Sequence, residues 1–275
     1  MIKRLIVAFI FLPLFYLLVT FQHTLLFSFF ITLISSLGLF EFFRLYFKEK
    51  KHGVIVIGET AALLLMAGFY VEGIDPKGIE AMISPFILST FLSFGILFLL
   101  TAHLFADRES FFLSVSIMGT GLLYVTWFLG HLILIRSLDQ GAMYIFFLAM
   151  VTWGTDSGAL FVGKSIGKRK VAPAVSPNKT VEGAIGGLVF GILLALISRV
   201  WFLPVFSLKE TIGLAFVMSV AGQIGDLVES MFKRANQVKD SSHLLPGHGG
   251  ILDKIDSFIF TGPVLYYYLV YFRPV

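Results

Sequence analysis

The chain contains no cysteine, which excludes disulfide frameworks, thiol nucleophiles and cysteine-ligated zinc together. It is also poor in charge. Asp, Glu, Lys and Arg make up 14% of its 275 residues, against about 25% in soluble domains. It has no internal repeat or low-complexity segment, and without a repeat the inverted-topology architecture of many transporters loses support. Its 21 basic residues are spread over many short loops, so the clustered basic face needed to bind nucleic acid is missing. What the chain has in abundance is apolar surface: 57% hydrophobic residues, 31 of all residues Phe, and a mean hydropathy of +0.90. One core cannot hide that much apolar surface, so the solvent must be lipid.

Apolar runs long enough to cross ~30 Å of hydrocarbon predict about nine spans. They cover residues 5–21, 24–43, 53–71, 82–105, 110–135, 141–163, 181–204, 210–231 and 257–272. The first run follows Lys3 and Arg4 and resembles a signal-peptide core, but no small-residue cleavage site follows it, so it is expected to stay as a helix. When the loops are assigned alternately to two sides, only Lys77, Arg136, Arg199, Lys209 and Arg273 of the 21 basic residues fall on the poorer side. The positive-inside rule then predicts a cytoplasmic N-terminus and an outside C-terminus.

The expected fold is all-α: a polytopic integral membrane protein of about nine transmembrane helices. Residues 1–140 are expected to form N-terminal packing helices, with few polar residues in their spans. Residues 141–275 carry the acidic spans and the longest cytoplasmic loops, 164–180 and 232–256, and would hold the chemistry.

An ionisable group inside a span is expensive and is by default a functional candidate. Asp156 precedes Lys164 on a helix running inward, ~12 Å below the cytoplasmic edge at 1.5 Å per residue. Asp226 precedes Lys233 on another such helix, ~10 Å deep by the same rise. Glu182 opens a helix running outward. Singly, each could be a structural salt bridge; three at one depth point to a site. Glu59, alone in its span, reads as structural.

The last cytoplasmic loop, read from Ser230 to Asp256, is the densest segment. Asp226, Ser230 and Lys233 share one helical face. Pro246-Gly247 and Gly249-Gly250 force a turn and allow close backbone approach to a ligand. Asp253 and Asp256 lie at i and i+3, where two carboxylates repel unless a cation sits between them. Carboxylates without sulfur suit Mg²⁺, and Lys and Arg234 are the complementary phosphate binders. A solvated basic loop would explain the lysines, but neither the carboxylates nor His248 between glycines.

The 164–180 loop has the same character: Lys164, Lys168, Arg169 and Lys170, then Ser176-Pro-Asn-Lys179-Thr180-Val-Glu182-Gly183. Thr180 and Glu182 could equally cap a helix or meet a phosphate, and Lys179 is the stronger substrate candidate. Gly183, Gly187 and Gly191 form a small-residue ridge suited to close helix packing. Gly158 to Ser165 fits the Walker A spacing, but its apolar interior finishes a span where a P-loop needs a strand, a flexible loop and then a helix. It reads as a chance match.

Ser230, Lys233, Arg234, Lys239, Asp240, Ser242, Leu245, Pro246, His248, Gly249, Gly250, Asp253 and Asp256 together resemble the signature of the phosphatidate cytidylyltransferases, or CDP-diacylglycerol synthases. The Ser176–Gly183 segment looks like a second hallmark of that family, and the span layout is similar over nearly the whole chain. One position departs: Lys254 stands where the family pattern has Arg, exchanging a bidentate guanidinium for a point charge.

The resemblance implies transfer of a cytidylyl group from CTP to phosphatidic acid, giving CDP-diacylglycerol and pyrophosphate. It implies Mg²⁺, with a second cation left open, a multi-pass place in the cell's inner (plasma) membrane with the site facing the cytoplasm, and a homodimer. Mapped onto these residues, Asp226, Asp253 and Asp256 would hold metal. Lys233, Arg234, Lys239, Asp240, His248 and Lys254 would be catalytic. Asp156, Lys164, Ser176, Lys179, Thr180, Glu182, Ser230, Gly249 and Gly250 would line the substrates. The competing readings are a CTP-dependent lipid or polyprenol kinase and a non-enzymatic transporter or scaffold.

Overall fold

A computed structural model describes residues 12–47, 52–74, 111–242, 244 and 249–273. The span expected at 82–105, the start of the first run (5–11) and His248 lie outside them. The chain divides into two compact units, Met1–Leu138 with Asp240–Leu252, and Asp139–Lys239 with Asp253–Val275. The segment 240–252, which the sequence reading grouped with the later helices, clusters with the first unit because a carboxylate there binds both of its ends.

In the first unit, residues 12–20 are helical (α1). They are followed by α2 (Thr24–Tyr46), α3 (His52–Ile74) and α4 (Phe111–Gly121), which runs through a π turn, Leu122–Trp127, into α5 (Phe128–Ser137). These helices pack through phenylalanines set against glycines. The Phe69 ring lies where a Cβ on Gly130 would stand, and the Phe43 ring covers Gly58 and Gly121. Phe27, Phe42, Phe43 and Phe69 are at most 1% exposed. Glu59 accepts a hydrogen bond from Ser36 at 2.5 Å, in keeping with a structural role. Arg136 ties the turn after α1 by donating to the carbonyls of Val19 and Phe21 at 2.8 and 2.6 Å.

The second unit consists of α6 (Gly141–Ile166), strands β1 (Lys170–Ala172) and β2 (Ser176–Thr180), α7 (Val181–Trp201), α8 (Leu208–Ala235) and α9 (Leu252–Phe272). The expected loop at 164–180 is thus an antiparallel hairpin, pairing Lys170 with Thr180 and Ala172 with Ser176. This is the departure from an all-α fold. Two strands this short need only pair with each other, and Lys168, Arg169 and Pro177 discourage further pairing at the edges.

The small-residue ridge has the expected role. α6 and α7 approach until a Cβ on Gly183 would lie 2.8 Å from the Ala159 carbonyl, and one on Gly187 2.8 Å from that of Thr155. Gly154 and Gly158 on α6 receive Leu194 and Phe190 in return. Gly187→Leu is therefore expected to cost about 3 kcal/mol through overpacking. Gly213→Leu, where nothing lies within 4 Å, should be nearly neutral. Thermal unfolding in mild detergent separates the two. α6 also runs unbroken through Gly158 to Lys164, which removes the P-loop reading.

Among the described residues, six helical segments are long and apolar enough to cross a membrane: α2, α3, Phe112–Ser137, α6, α7 and α8. α9 covers the expected span 257–272 but is not among them. Asp253, Lys254 and Asp256 in its first turns and Tyr266-Tyr267-Tyr268 near its end lower its hydropathy. α8 begins in a capping box in which Ser207 and Glu210 satisfy each other's backbone. At the same end, Glu210 also binds Tyr268 at 2.9 Å and Arg273 at 3.1 Å.

Candidate active site

Helical spacing on α8 sets three charged groups in a column. Asp226 and Glu229 are three residues apart, Glu229 and Lys233 four, so all three face one side. α9 comes close at the same height, because Gly225 leaves room for the Asp256 carbonyl and the Phe260 ring. Asp256 therefore stands beside Asp226 and Glu229, and the three offer carboxylate oxygens within 4.8 Å of one another. Glu229 is fully buried and Asp256 is 9% exposed.

Two ammonium groups brace the cluster. Lys233 lies 2.5 Å from Glu229 and 2.6 Å from Asp253, and Lys179, at the end of β2, lies 2.6 Å from Asp226. With all four acids ionised, two lysines against Asp226, Glu229, Asp253 and Asp256 leave the group net negative, a condition that low-dielectric surroundings penalise unless a further cation or bound protons offset it. The donors are all hard carboxylate oxygens, and ligand oxygens across a Mg²⁺ ion stand about 4.2 Å apart, twice the metal–oxygen distance. The residues present fit a divalent cation of that kind.

Asp226 also opens onto a cavity of about 640 Å³ lined by Asp156, Lys164, Asn178, Lys179, Thr180, Gln223 and the backbone of Gly163 and Gly183, with Leu160, Val171 and Leu227 as apolar wall. That volume suits a ligand of a few hundred daltons. Asp156 accepts from Ser257 at 3.4 Å. Thr180 faces the cavity while capping α7, accepting from the Gly183 N–H at 3.1 Å. The hairpin brings Lys179 there: its strand is tied to α7 by the Thr180 cap, and Glu182 holds the chain behind β1 by accepting from the N–H groups of Lys168 and Arg169 at 2.9 and 3.1 Å.

The expected site residues thus separate. Asp156, Lys164, Lys179, Thr180 and Asp226 line the cavity. Lys233, Asp253 and Asp256 join Asp226 in the carboxylate cluster, with Ser230 buried on the same helix. Glu182 is occupied by backbone. Arg234 donates to the carbonyls of Val175 at 3.3 Å and Val238 at 2.6 Å, holding the hairpin turn. Ser176 opens β2, and Lys239, Asp240 and Lys254 are exposed. Gly249 has φ of 83°, the left-handed region that favours glycine.

Sequence reasoning missed two carboxylates. Glu229 carried a signal, an acid inside a span four residues before Lys233. Glu41, in the first unit, is 4% exposed. It accepts from Ser241 Oγ at 2.8 Å, Ser242 Oγ at 2.6 Å, Ile251 N at 3.0 Å and Leu252 N at 2.8 Å. A Cβ on Gly250 would collide with Ser241 Oγ and the Glu41 carboxylate, so this glycine is required by the chain's own packing.

Compared with known proteins, residues 2–272 match the cytidylyltransferase family. A phosphatidate cytidylyltransferase of Bacillus subtilis (strain 168) is 40% identical over 252 residues, covering 90% of this chain and 89% of that protein. One from Staphylococcus saprophyticus is 38% identical over 214 residues, 76% of each chain. One from Staphylococcus aureus (strain COL) is 39% identical over 201 residues, covering 72% of this chain and 71% of its own.

Proposed function

The chain belongs to the cytidylyltransferase family, and from that premise we propose that it transfers the cytidylyl group of CTP to phosphatidic acid, forming CDP-diacylglycerol and releasing pyrophosphate. The observation that carries this reading is the convergence of Asp226, Glu229 and Asp256 with Lys179 and Lys233 beside a cavity in helices apolar enough to span a membrane. An oxygen of the lipid phosphate attacks the α-phosphorus of CTP, and the bond from that phosphorus to the bridging oxygen breaks, with pyrophosphate leaving on that oxygen. The nucleophile belongs to the substrate, largely dianionic at neutral pH because its second pKa is about 6. The protein's task is to align two polyanions and offset their charge.

Asp226 and Asp256, with Glu229, would hold Mg²⁺, which when bound neutralises phosphate charge. Asp253, expected from sequence as a metal ligand, is better suited here to orienting Lys233. Lys179 and Lys233 lie close enough to the carboxylates to exchange them for phosphate oxygens, and exposed Lys239, Arg234 and Lys254 would guide CTP inward. His248 would meet the leaving pyrophosphate or orient a carboxylate. Lys164, Thr180 and Asp156 would line the substrate cavity, whose apolar wall suits the lipid. We further propose about nine spans with a cytoplasmic N-terminus and the site opening to the cytoplasm of the plasma membrane, on the asymmetry of basic residues. The enzyme would work as a homodimer, testable by co-purifying differently tagged copies in mild detergent.

The decisive experiment supplies purified protein with phosphatidic acid, Mg²⁺ and CTP labelled at the α- or γ-phosphorus. Label entering lipid from α-labelled CTP alone is the expected result. Label entering from γ-labelled CTP would make the protein a kinase. No transfer from either, with Lys254→Arg equally silent, would remove the enzymatic reading.

A further inference from the structure

Gln223 sits inside the apolar run of α8, where a leucine would pack without cost and an amide must find partners. It is half-buried and lines the cavity together with Asp226, three residues further along the same helix. Its Nε2 donates to the Ala184 carbonyl of α7 at 3.3 Å. That contact exceeds the usual range of about 2.7–3.2 Å, so as a tie between two helices it is weak. It does orient the amide, since only the NH₂ end can face a carbonyl oxygen. One further N–H and the amide oxygen can still bond, and among the described residues the Ala184 contact is the amide's one hydrogen bond.

Position selects what that N–H meets. Gln223 lies nearer the middle of α8 than Asp226 does, by ~4.5 Å from the helical rise, and Ala159, Leu160, Ala184 and Leu227 line the same cavity. A phosphatidate whose phosphate engages Lys179, the partner of Asp226, would lay its glycerol backbone at that level, a few covalent bonds from the phosphorus. The backbone of a diacyl lipid carries ester carbonyls, which only accept hydrogen bonds. Asp156 and Asp226, when ionised, also only accept, while Lys164, Asn178, Lys179 and Thr180 belong to the end of α6 and to the hairpin. We propose that Gln223 is a specificity-determining residue: its second N–H donates to an ester carbonyl of the lipid's glycerol backbone, so that the cavity prefers the ester-linked lipid to an ether-linked one. The inference rests on the proposed cytidylyl transfer and names the feature of the lipid that the cavity reads.

Two lipids that differ only in those carbonyls test this: a diacyl phosphatidate and its dialkyl ether analogue of equal chain length, in the same mixed micelles with α-labelled CTP and Mg²⁺. One hydrogen bond of this kind is worth about fivefold to tenfold, so wild-type kcat/KM should favour the ester lipid by that factor. In Gln223→Leu the ratio should fall to about one, with the KM for CTP unchanged. Gln223→Met, unbranched and similar in length to glutamine, should give the same ratio. It decides the matter if leucine crowds Ala184 and that variant fails to fold. Equal kcat/KM for the two lipids in the wild type overturns the proposal, whatever the variants do. An ester preference that survives in a folded variant also overturns it: Gln223 is then only a tie between α8 and α7 or, where the KM for CTP rises, a nucleotide contact. Transfer to neither lipid by the wild type overturns the cytidylyl reading, and the inference with it.

Discussion

Asp256→Asn and Asp226→Asn are each expected to lower turnover by about a thousandfold or more while leaving folded protein extractable in detergent. The magnitude follows from the several kcal/mol of charge stabilisation that a catalytic cation supplies, at about 1.4 kcal/mol per tenfold in rate. The substitutions are nearly isosteric. At Asp256 the amide oxygen can still accept the 2.8 Å bond from the Ser257 N–H, so the start of α9 should hold. A ligand role has a second signature: activity remaining should need more Mg²⁺ for half-saturation. Asp253→Asn is expected to behave differently, because its carboxylate is 2.6 Å from Lys233; turnover should fall without a shift in Mg²⁺ demand. Glu59→Gln, altering a half-buried acid bound to Ser36, is the control and should retain near-normal rate. Full activity in Asp256→Asn would remove that residue from the site.

Lys233→Met is expected to damage the fold itself. The lysine side chain is 11% exposed and bridges Glu229, at 1%, and Asp253, at 10%. Removing it leaves two buried carboxylates without their shared partner, and breaking a buried pair from one side costs about 3–5 kcal/mol. The expected result is a marked fall in thermal stability and in the yield of monodisperse protein. Adding Glu229→Gln and Asp253→Asn to the same chain should restore much of the stability, though not activity, because the uncompensated charges are gone. A Lys233→Met protein as stable as the parent would mean that the lysine is not the counter-ion of that pair. The two predictions separate by readout: the aspartates act on rate at constant stability, the lysine on stability first.

Much of this site was legible in the sequence because its residues are neighbours along helices. Asp226, Ser230 and Lys233 share a face whatever the fold does, since 3.6 residues per turn dictates it. The glycines of α7 announced close packing for the same reason. The role of Asp253 was not legible. Its spacing from Asp256 suggested two acids meeting one cation, and its contact with Lys233, on another helix, is one that only the fold brings about. Thr180 and Glu182 likewise stood equally for capping and for ligand binding; Thr180 caps α7 while facing the cavity, and Glu182 is occupied by the N–H groups of Lys168 and Arg169. Lys179 was legible as a substrate candidate, but its reach to Asp226 required the hairpin, and short charged strands carry little periodic signal.

By itself the sequence determined the solvent, the class of fold and the family. A composition with 57% apolar and 14% charged residues admits only lipid surroundings, and a motif spread over residues 230–256 is too specific to arise by packing needs alone. Tertiary structure decided which carboxylates meet and which are already engaged. Glu229 joins Asp226 and Asp256 because α9 passes Gly225 closely, and Glu41 binds Ser241, Ser242, Ile251 and Leu252 because the chain returns to it. The physical reason is the range of the interactions. Hydropathy and helical periodicity are local and additive, so they can be read along the chain, whereas a hydrogen bond to a buried carboxylate depends on a few ångströms between residues that only the complete fold brings together.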